Sequence, residues 1–289
     1  MTNTDKSYWI IRDLDFRSPG VRTGYAVVYL ACAIALLVGV APMLWVGLSG
    51  FKTIKEFVIS TKVLPDTFDM SKYAGTWNSL KFGRYYLNSF ASVAGSVVCA
   101  VLFNGLLGYA LSKVRPAGWK LVYALVMAGL LIPATTSIVP LFINITRIHL
   151  NGSFVPLWLS MGANAFYVVL FKSFFDSLPN SLVEAAKIDG CTDFRVFRSI
   201  ALPLSRSIMM VVAIYAINAA WSDFLLPYLV LNQSGLETVM VRLFQFRNGK
   251  TSDIDILRAI VFVIIPPTVL FLFFQRQITQ VTAQSGIKG

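Results

Sequence analysis

The 289-residue sequence contains a single histidine and only three cysteines. His149 is too isolated to form a metal cluster, Cys32 and Cys99 lie in apolar runs, and Cys191 lies in a charged loop. No two of these cysteines have the short spacing of a zinc site, and an odd number does not give a disulfide framework. We therefore expect no metal site, haem or other cofactor in this chain.

Charged residues are also scarce. They make up 13% of the chain, while 56% of the residues are hydrophobic. Soluble domains carry about 25% charged residues, and a membrane-spanning helix needs about 20 consecutive apolar residues. The composition predicts an all-α, polytopic membrane protein with about six transmembrane helices. The candidate spans are 25–48, 86–111, 121–145, 154–175, 208–231 and 257–274.

The formal net charge is +11. The basic residues cluster where apolar segments meet polar ones, as expected beside anionic lipid. They form no stripe with interleaved aromatic residues, so nucleic-acid binding is excluded. The sequence therefore predicts the lipid bilayer, and not a nucleic acid, as the partner of these charges.

Orientation follows from the short loop 112–120, which holds three basic residues and no acidic one. Such loops favour the cytoplasmic side, and six spans then place both termini in the cytoplasm. We expect a cytoplasmic segment 1–24, which does not resemble a cleavable signal. A transmembrane domain 25–276 and a cytoplasmic tail 277–289 follow.

The loop 177–207 interrupts the apolar runs with the sequence EAAKIDGCTDFRVFRSIALP from Glu184 onward. Ser181 and Glu184 have the spacing of a capping box, and Gly190 suits the position just after a helix. This predicts a helix over 182–189, about 12 Å long. Because so short a helix is marginal in water, it must rest on lipid or dock on a cytosolic partner.

A second short helix is predicted after Gly190. Thr192 or Asp193 is the candidate N-cap, and Pro203 marks a break before the fifth span. Two short helices meeting at a glycine would form an angular projection on the cytoplasmic face.

The stretch from Glu184 to Pro203 resembles the EAA signature of permease subunits of bacterial ABC importers. The sequence is most similar to the smaller subunit of the carbohydrate-uptake group, which includes the maltose permease. Further similar segments lie along the whole chain: PMLWVGLSGFK at 42–52, YYLNSF at 85–90, GYALSK at 108–113, IVPLF at 138–142, WSDFLLP at 221–227 and GIKG at 286–289. In the group, alanine is usual where Cys191 stands and proline is frequent where Ser207 stands, so a less kinked start of the fifth span is expected.

The resemblance implies a role for the loop 177–207 as a coupling helix inserted into an ATPase subunit. It assigns that contact to Glu184, Ala185, Ala186, Asp189 and Gly190. It further implies a second homologous permease, two ATPase subunits that bind ATP and Mg²⁺, and an extracytoplasmic sugar-binding protein. The location would be the bacterial inner membrane, and the cargo would be a saccharide. An oligosaccharide is the main expectation.

The chain shows no motor of its own. Residues 244–251, FQFRNGKT, lack the first glycine of a P-loop and are predicted to lie outside the cell. An ion-driven carrier would need charged residues within its spans, and Asp223 is the one clear candidate. A hydrogen-bonding role at a helix end is favoured for it. Asn88 and Asn218 are candidates for lining a path or bridging helices, as are Asn104 and Asn164.

Two alternatives remain open from the sequence. One is a self-contained secondary carrier or channel, and the other is an intramembrane enzyme, which the lone histidine disfavours. The outer stretch 50–84 has six basic and three acidic residues, which permits an anionic saccharide. Prolines in the third and sixth spans are predicted points of flexibility.

Overall fold

The computed structural model describes residues 19–286, with side chains described for 20–133 and 135–275. The predicted segment 1–24 and tail 277–289 thus lie partly outside the described residues, and their cytoplasmic location stays a prediction. Between residues 19 and 286 every regular element is helical and there is no strand. The expected all-α fold is confirmed.

The α-helices differ widely in length, and short irregular helices join some of them. In chain order they are α1 (Pro19–Ser49), α2 (Ile54–Ile59), α3 (Ser71–Ser79), α4 (Phe82–Tyr109), α5 (Trp119–Gly129), α6 (Ile138–Arg147), α7 (Val155–Gly162), α8 (Ala165–Ser177), α9 (Asn180–Ile188), α10 (Asp193–Val196), α11 (Leu202–Leu204), α12 (Arg206–Ser222), α13 (Leu225–Leu231), α14 (Val239–Arg247) and α15 (Asp253–Gly286). π-Helical segments occupy Ala110–Val114 and Phe197–Ala201, and a 3₁₀-helix occupies Ala134–Ser137.

Three continuous helices are long and apolar enough to cross a membrane. They are Gly20–Ser49 in α1, Phe82–Val114 in α4 with its π-helical end, and Asp253–Gln275 in α15. They correspond to the first, second and sixth predicted spans. α1 begins six residues before the predicted boundary at Tyr25, and α15 continues to Gly286 without a break at its two internal prolines.

The other predicted spans are broken helices. The third is divided into α5 and α6, consistent with the break predicted from its prolines. In the fourth, α7 and α8 meet at 42°. The fifth, 208–231, is divided into α12 and α13, and just before it α12 meets the preceding helix Asp193–Leu204 at 80°. If each bent pair crosses once, the described residues provide up to five spans by length and composition. The sixth crossing depends on α5 and α6, which have 11 and 10 residues and are individually shorter than the about 20 residues required.

The core surrounds α4, which packs against α7, α8 and α12. Small residues allow this close approach: a side chain on Gly108 would come within 2.7 Å of the Phe171 Cβ and 3.0 Å of the Lys172 amide nitrogen. Phe171 and Val212 are fully buried beside it. Close helix contact through small residues is typical of membrane proteins.

By contrast, the apolar part of α1 is not buried at all within the described chain. Its end is held to α15 by Arg258, which donates to the carbonyl oxygens of Gly50 at 2.7 Å and Lys52 at 3.2 Å. Arg258 also binds the Asp255 carboxylate at 2.9 Å. α1 is therefore fixed at one end and presents its remaining surface to lipid or to another chain.

Candidate functional site

The first helix of the loop 177–207 is α9, Asn180–Ile188, which begins two residues before the predicted start. Its N-cap position is Pro179, and no side chain caps it. The predicted capping box from Ser181 to Glu184 is therefore wrong. Pro179 has an extended backbone, with φ −58° and ψ 133°, that leads directly into Asn180, so Ser181 already lies in the first helical turn.

The predicted end of this helix is confirmed. Gly190 has φ +79°, a left-handed conformation that glycine adopts without strain. Its N–H donates to the Lys187 carbonyl at 3.0 Å, and the Cys191 N–H donates to the Ala186 carbonyl at 3.0 Å. These two bonds form a Schellman motif, which turns the chain sharply out of α9.

α10 begins at the predicted cap. The Thr192 hydroxyl accepts from the Arg195 N–H at 3.3 Å. The Lys187 ammonium group forms an ion pair with the Asp193 carboxylate at 2.8 Å. The chain then bends by 80° at Ser205, between α11 and α12. This bend forms with serine and not proline at position 207, so the expectation of a less kinked start is not met.

The two faces of α9 differ. Ala186 is buried, with 6% exposed, in a cluster that includes Phe175 and Phe197. The four other residues of the predicted contact, Glu184, Ala185, Asp189 and Gly190, are exposed. Ala186 therefore packs inside the loop, and the other four residues lie on its outer surface.

Two large apolar side chains extend the exposed face. Ile188 is 86% exposed and Phe194 is 63% exposed. The sequence reasoning did not assign these residues to the contact. Glu184 and Ile188 are four residues apart and therefore lie on the same face of α9, so the sequence spacing could have identified Ile188.

The loop is tied to the end of α4. The Lys113 ammonium group donates to the Leu178 carbonyl at 2.6 Å and to the Asn180 Oδ1 at 2.8 Å. Nearby, the Tyr109 ring packs against Phe175 and Phe197, with centroids 5.5 and 5.2 Å apart. The start of α9 is therefore connected directly to the end of α4.

The asparagines serve mainly as bridges between helices. Asn88 donates to the carbonyl oxygens of Gly235 at 3.2 Å and Glu237 at 3.0 Å. The fully buried Asn104 donates to the Met161 carbonyl at 2.9 Å and accepts from the Asn164 N–H at 3.0 Å. These bonds satisfy groups that would otherwise be costly in an apolar interior.

Asp223 and Asn218 have different surroundings. Asp223 ends α12, and its carboxylate lies against the backbone amides of residues 224–226, which favours a structural role over a proton relay. Asn218 is exposed and faces a cavity of about 140 Å³ between α12 and α15, with Trp221 and Pro267 in its wall. The hydrogen-bond partners of Asn88 and Asp223 are backbone groups, and Asn218 lies in the wall of a cavity, so each of the three has its own surroundings.

Residues 244–251 are not a P-loop. Phe244–Arg247 form the last turn of α14, and the Gly249 N–H closes the following turn on the Phe246 carbonyl at 3.2 Å. A P-loop follows a strand and precedes a helix, whereas this segment follows a helix. Within the part of the chain that the structure describes, no three histidine, cysteine, aspartate or glutamate side chains are grouped to hold a metal ion.

Known proteins are similar to this chain in sequence. The chain is 34% identical over 255 residues to the diacetylchitobiose uptake system permease protein NgcG of Streptomyces coelicolor, covering 86% of this chain and 84% of the relative. It is 27% identical to a probable starch degradation products transport system permease protein of Thermoanaerobacterium thermosulfurigenes, covering 91% and 97%. An arabinooligosaccharides transport system permease protein of Bacillus subtilis is also 27% identical, covering 80% and 82%.

A solved structure has the same fold. A chain of a bacterial ABC transporter involved in the import of the acidic polysaccharide alginate superposes with a TM-score of 0.79 at 20% identity, covering 90% of this chain and 98% of that one. The model of the binding-protein-dependent transport system inner membrane component family matches residues 82–283. The resemblance to sugar permeases drawn from the EAA loop is confirmed, and the chain belongs to this family of ABC importer permeases.

Proposed function

We propose that this permease imports an oligosaccharide across a bacterial inner membrane, with its energy supplied by separate ATPase subunits. It would form the translocation path with a second homologous permease and receive the sugar from an extracytoplasmic binding protein. The names of the relatives, which refer to diacetylchitobiose, starch degradation products and arabinooligosaccharides, support this substrate class.

The observation that carries the proposal is the exposed face of the loop 177–207. Ile188 exposes a large apolar surface one helical turn from Glu184 and next to Asp189 in sequence, and Phe194 exposes another on the following helix α10. Burying an isoleucine or phenylalanine side chain stabilises an interface by about 1.5–3 kcal/mol. An apolar centre flanked by two acids and the small Ala185 suits a cleft on an ATPase subunit.

The attachment of this face to α4 gives it a mechanical role. Lys113 holds the start of α9, and Tyr109 packs against the aromatic cluster below the loop. Closure of the ATPase pair on ATP would move α9, and the movement would reach the core helices packed around α4. The path would thereby open alternately to each side. ATP and Mg²⁺ stay on the ATPase subunits, and this chain needs no cofactor.

The cations of the outer stretch 50–84 bear on the charge of the saccharide. Of the cations in the outer stretch 50–84, Lys72 donates to the Phe51 carbonyl at 2.6 Å and Arg84 to the Gly235 carbonyl at 2.8 Å. Lys62 pairs with Asp66 at 3.0 Å. The buried Lys52 donates to the carbonyl oxygen of residue 62. Four of the six cations are thus held by contacts within the chain, but only Lys62 is paired with a carboxylate, so the charge of this stretch still permits an anionic saccharide.

The proposed orientation places the loop 177–207 and both termini in the cytoplasm. Cys191 offers a probe because it lies in this loop and is partly exposed. A thiol crosslinker should join it to an ATPase subunit in inside-out vesicles. Labelling of Cys191 only by impermeant reagents added outside intact cells would refute the orientation.

Reconstitution tests whether separate ATPase subunits supply the energy for transport. Proteoliposomes that contain the two permeases, the ATPase subunits and the binding protein should take up oligosaccharide with ATP, and Glu184→Lys should abolish that uptake while the complex still inserts. Glu184→Gln, which removes the charge without reversing it, should have a smaller effect. Flux through this chain reconstituted without any ATPase would instead establish the alternative, a self-contained carrier or channel.

A further inference from the structure

We propose that the groove between α5 and α8 binds the headgroup of an anionic phospholipid. The groove has a volume of about 430 Å³ and opens to the outside of the chain. Its lining residues are Tyr123, Val169, Lys172, Ser173, Asp176 and Ser177. The lining is largely polar, in contrast to the apolar surfaces of α5 around it.

The single acid of the groove is already neutralised. Asp176 accepts from Lys172 at 2.6 Å through one carboxylate oxygen, and from the Ser112 hydroxyl at 2.6 Å through the other. The Lys172 ammonium group also lies 4.7 Å from the Tyr123 ring centroid, where the ring face attracts it. An incoming anion therefore meets no free carboxylate in the groove.

The rim adds uncompensated positive charge. Arg115 and Lys120 are both exposed and flank the Trp119 ring, at 5.4 and 6.0 Å from its centroid. The Arg115 Nε donates to the Ser112 carbonyl at 2.8 Å, and the Ser112 hydroxyl donates to Asp176 in the groove, so Arg115 is connected to the groove through Ser112. Among the described residues neither cation forms an ion pair with a carboxylate. Two cations around an indole are the pattern expected at a membrane–water interface.

The apolar surface beside this rim identifies the class of ligand. α5 has no buried residue, and Leu121 and Leu125 are 67% and 64% exposed. The apolar side of α5 therefore leads directly from Arg115 and Lys120 into the membrane. A phosphodiester would lie between those cations, and its acyl chains would follow Leu121 and Leu125. A soluble anion would use the charges but would leave this apolar surface uncovered.

The test uses the complete transport complex, stripped of lipid in detergent and titrated with phosphatidylglycerol or phosphatidylcholine while native mass spectra are recorded. We expect preferential retention of phosphatidylglycerol. Each basic residue near a membrane surface contributes about 1 kcal/mol of attraction to anionic lipid. Lys120→Gln should therefore weaken binding about fivefold, and Arg115→Gln with Lys120→Gln about 25-fold. Lys55→Gln, which removes an exposed cation from α2, is the matched control and should leave the preference unchanged.

A second measurement locates the bound lipid. A photoactivatable phosphatidylglycerol in nanodiscs should label peptides containing residues 119–125 or 172–177, and the double substitution should suppress that labelling. Labelling confined to other helices would overturn the proposal, as would an unchanged lipid preference in the double variant. Zero-length crosslinking of Lys120 to an ATPase or permease subunit would assign the groove to a protein partner and would also overturn it.

Discussion

Replacing Lys113 with glutamine tests whether the loop 177–207 is held to α4 by this one side chain. The ammonium group donates to the Leu178 carbonyl at 2.6 Å and to the Asn180 Oδ1 at 2.8 Å. Glutamine is shorter and uncharged, so both bonds are lost. The aromatic contact of Tyr109 below the loop remains in the variant.

The magnitude follows from these two bonds. A hydrogen bond that involves a charged group contributes about 1.5–3 kcal/mol, and the bond to Asn180 is exposed to solvent, which weakens it. Together they stabilise the attached loop by about 2 kcal/mol. Since 1.4 kcal/mol corresponds to a factor of ten, the population with a detached α9 should rise about 30-fold.

Two measurements detect this change in the assembled complex. Amide hydrogen exchange over residues 180–190 should accelerate by about the same factor. The number of sugar molecules imported per ATP hydrolysed should fall, because the ATPase can still hold α9 while α9 no longer moves α4. Lys113→Arg keeps the charge, so its exchange rate and its sugar import per ATP should lie between those of Lys113→Gln and the parent protein.

Lys187→Gln provides the matched control. It removes a lysine from the same loop, but the Lys187–Asp193 pair at 2.8 Å is 47% and 43% exposed, and such surface pairs contribute about 0–1 kcal/mol. In Lys187→Gln, amide hydrogen exchange over residues 180–190 should therefore change less than about fivefold. Unchanged exchange over 180–190 and unchanged transport per ATP in Lys113→Gln would refute the mechanical link.

Four further substitutions separate stability from coupling. Gly190→Ala should destabilise the loop by about 1–2 kcal/mol, because φ is +79° there, as measured by hydrogen exchange over the loop. Ile188→Ser should weaken ATPase binding at least tenfold in a pull-down titration without changing the melting temperature of the permease, since its side chain is 86% exposed. Asn104→Ala should cost about 1–3 kcal/mol in thermal unfolding by leaving the Asn164 N–H unpaired. Ser207→Pro should preserve both melting temperature and transport, because the first turn of α12 tolerates proline.

Each result has an outcome that contradicts its reasoning. Wild-type exchange in Gly190→Ala would mean that the Schellman motif does not determine the turn. Tight ATPase binding by Ile188→Ser would remove its apolar side chain from the interface. Asn218→Ala, at an exposed position, should be neutral in thermal unfolding, and equal losses for Asn218→Ala and Asn104→Ala would show that burial is irrelevant. A destabilised Ser207→Pro would indicate that the Ser207 amide is needed in a hydrogen bond.

Local sequence patterns predicted a large part of this structure. Apolar runs identified the three long helices, and Pro133 lies at the division of the third span, whereas Pro140 lies inside α6. Gly190 and Thr192 were correctly predicted as the end of one short helix and the cap of the next. In each case a single residue type restricts the backbone or supplies a hydrogen bond within three or four residues.

The failed predictions involve competition between neighbours or contacts distant in sequence. Ser181 fits a capping box by spacing, but Pro179 starts the helix before it. Ala186 belongs to the EAA pattern, yet it is buried against a cluster that includes Phe175 and Phe197. The bond from Lys113 to Asn180 spans 67 residues of sequence, and no local pattern indicates it.

The bend at Ser205 shows why proline content alone does not predict the direction of the chain. Ser205 is fully buried, and its hydroxyl donates to the Leu202 carbonyl at 2.8 Å. Ala201 before the bend and Ile208 after it belong to the same buried cluster. Because both arms pack on one core, burial of apolar surface stabilises the 80° angle without a proline at 207. The angle in turn influences where the α9 face projects, so the orientation of the proposed ATPase contact depends on this core packing as well as on Ala186 and Gly190 of the EAA stretch.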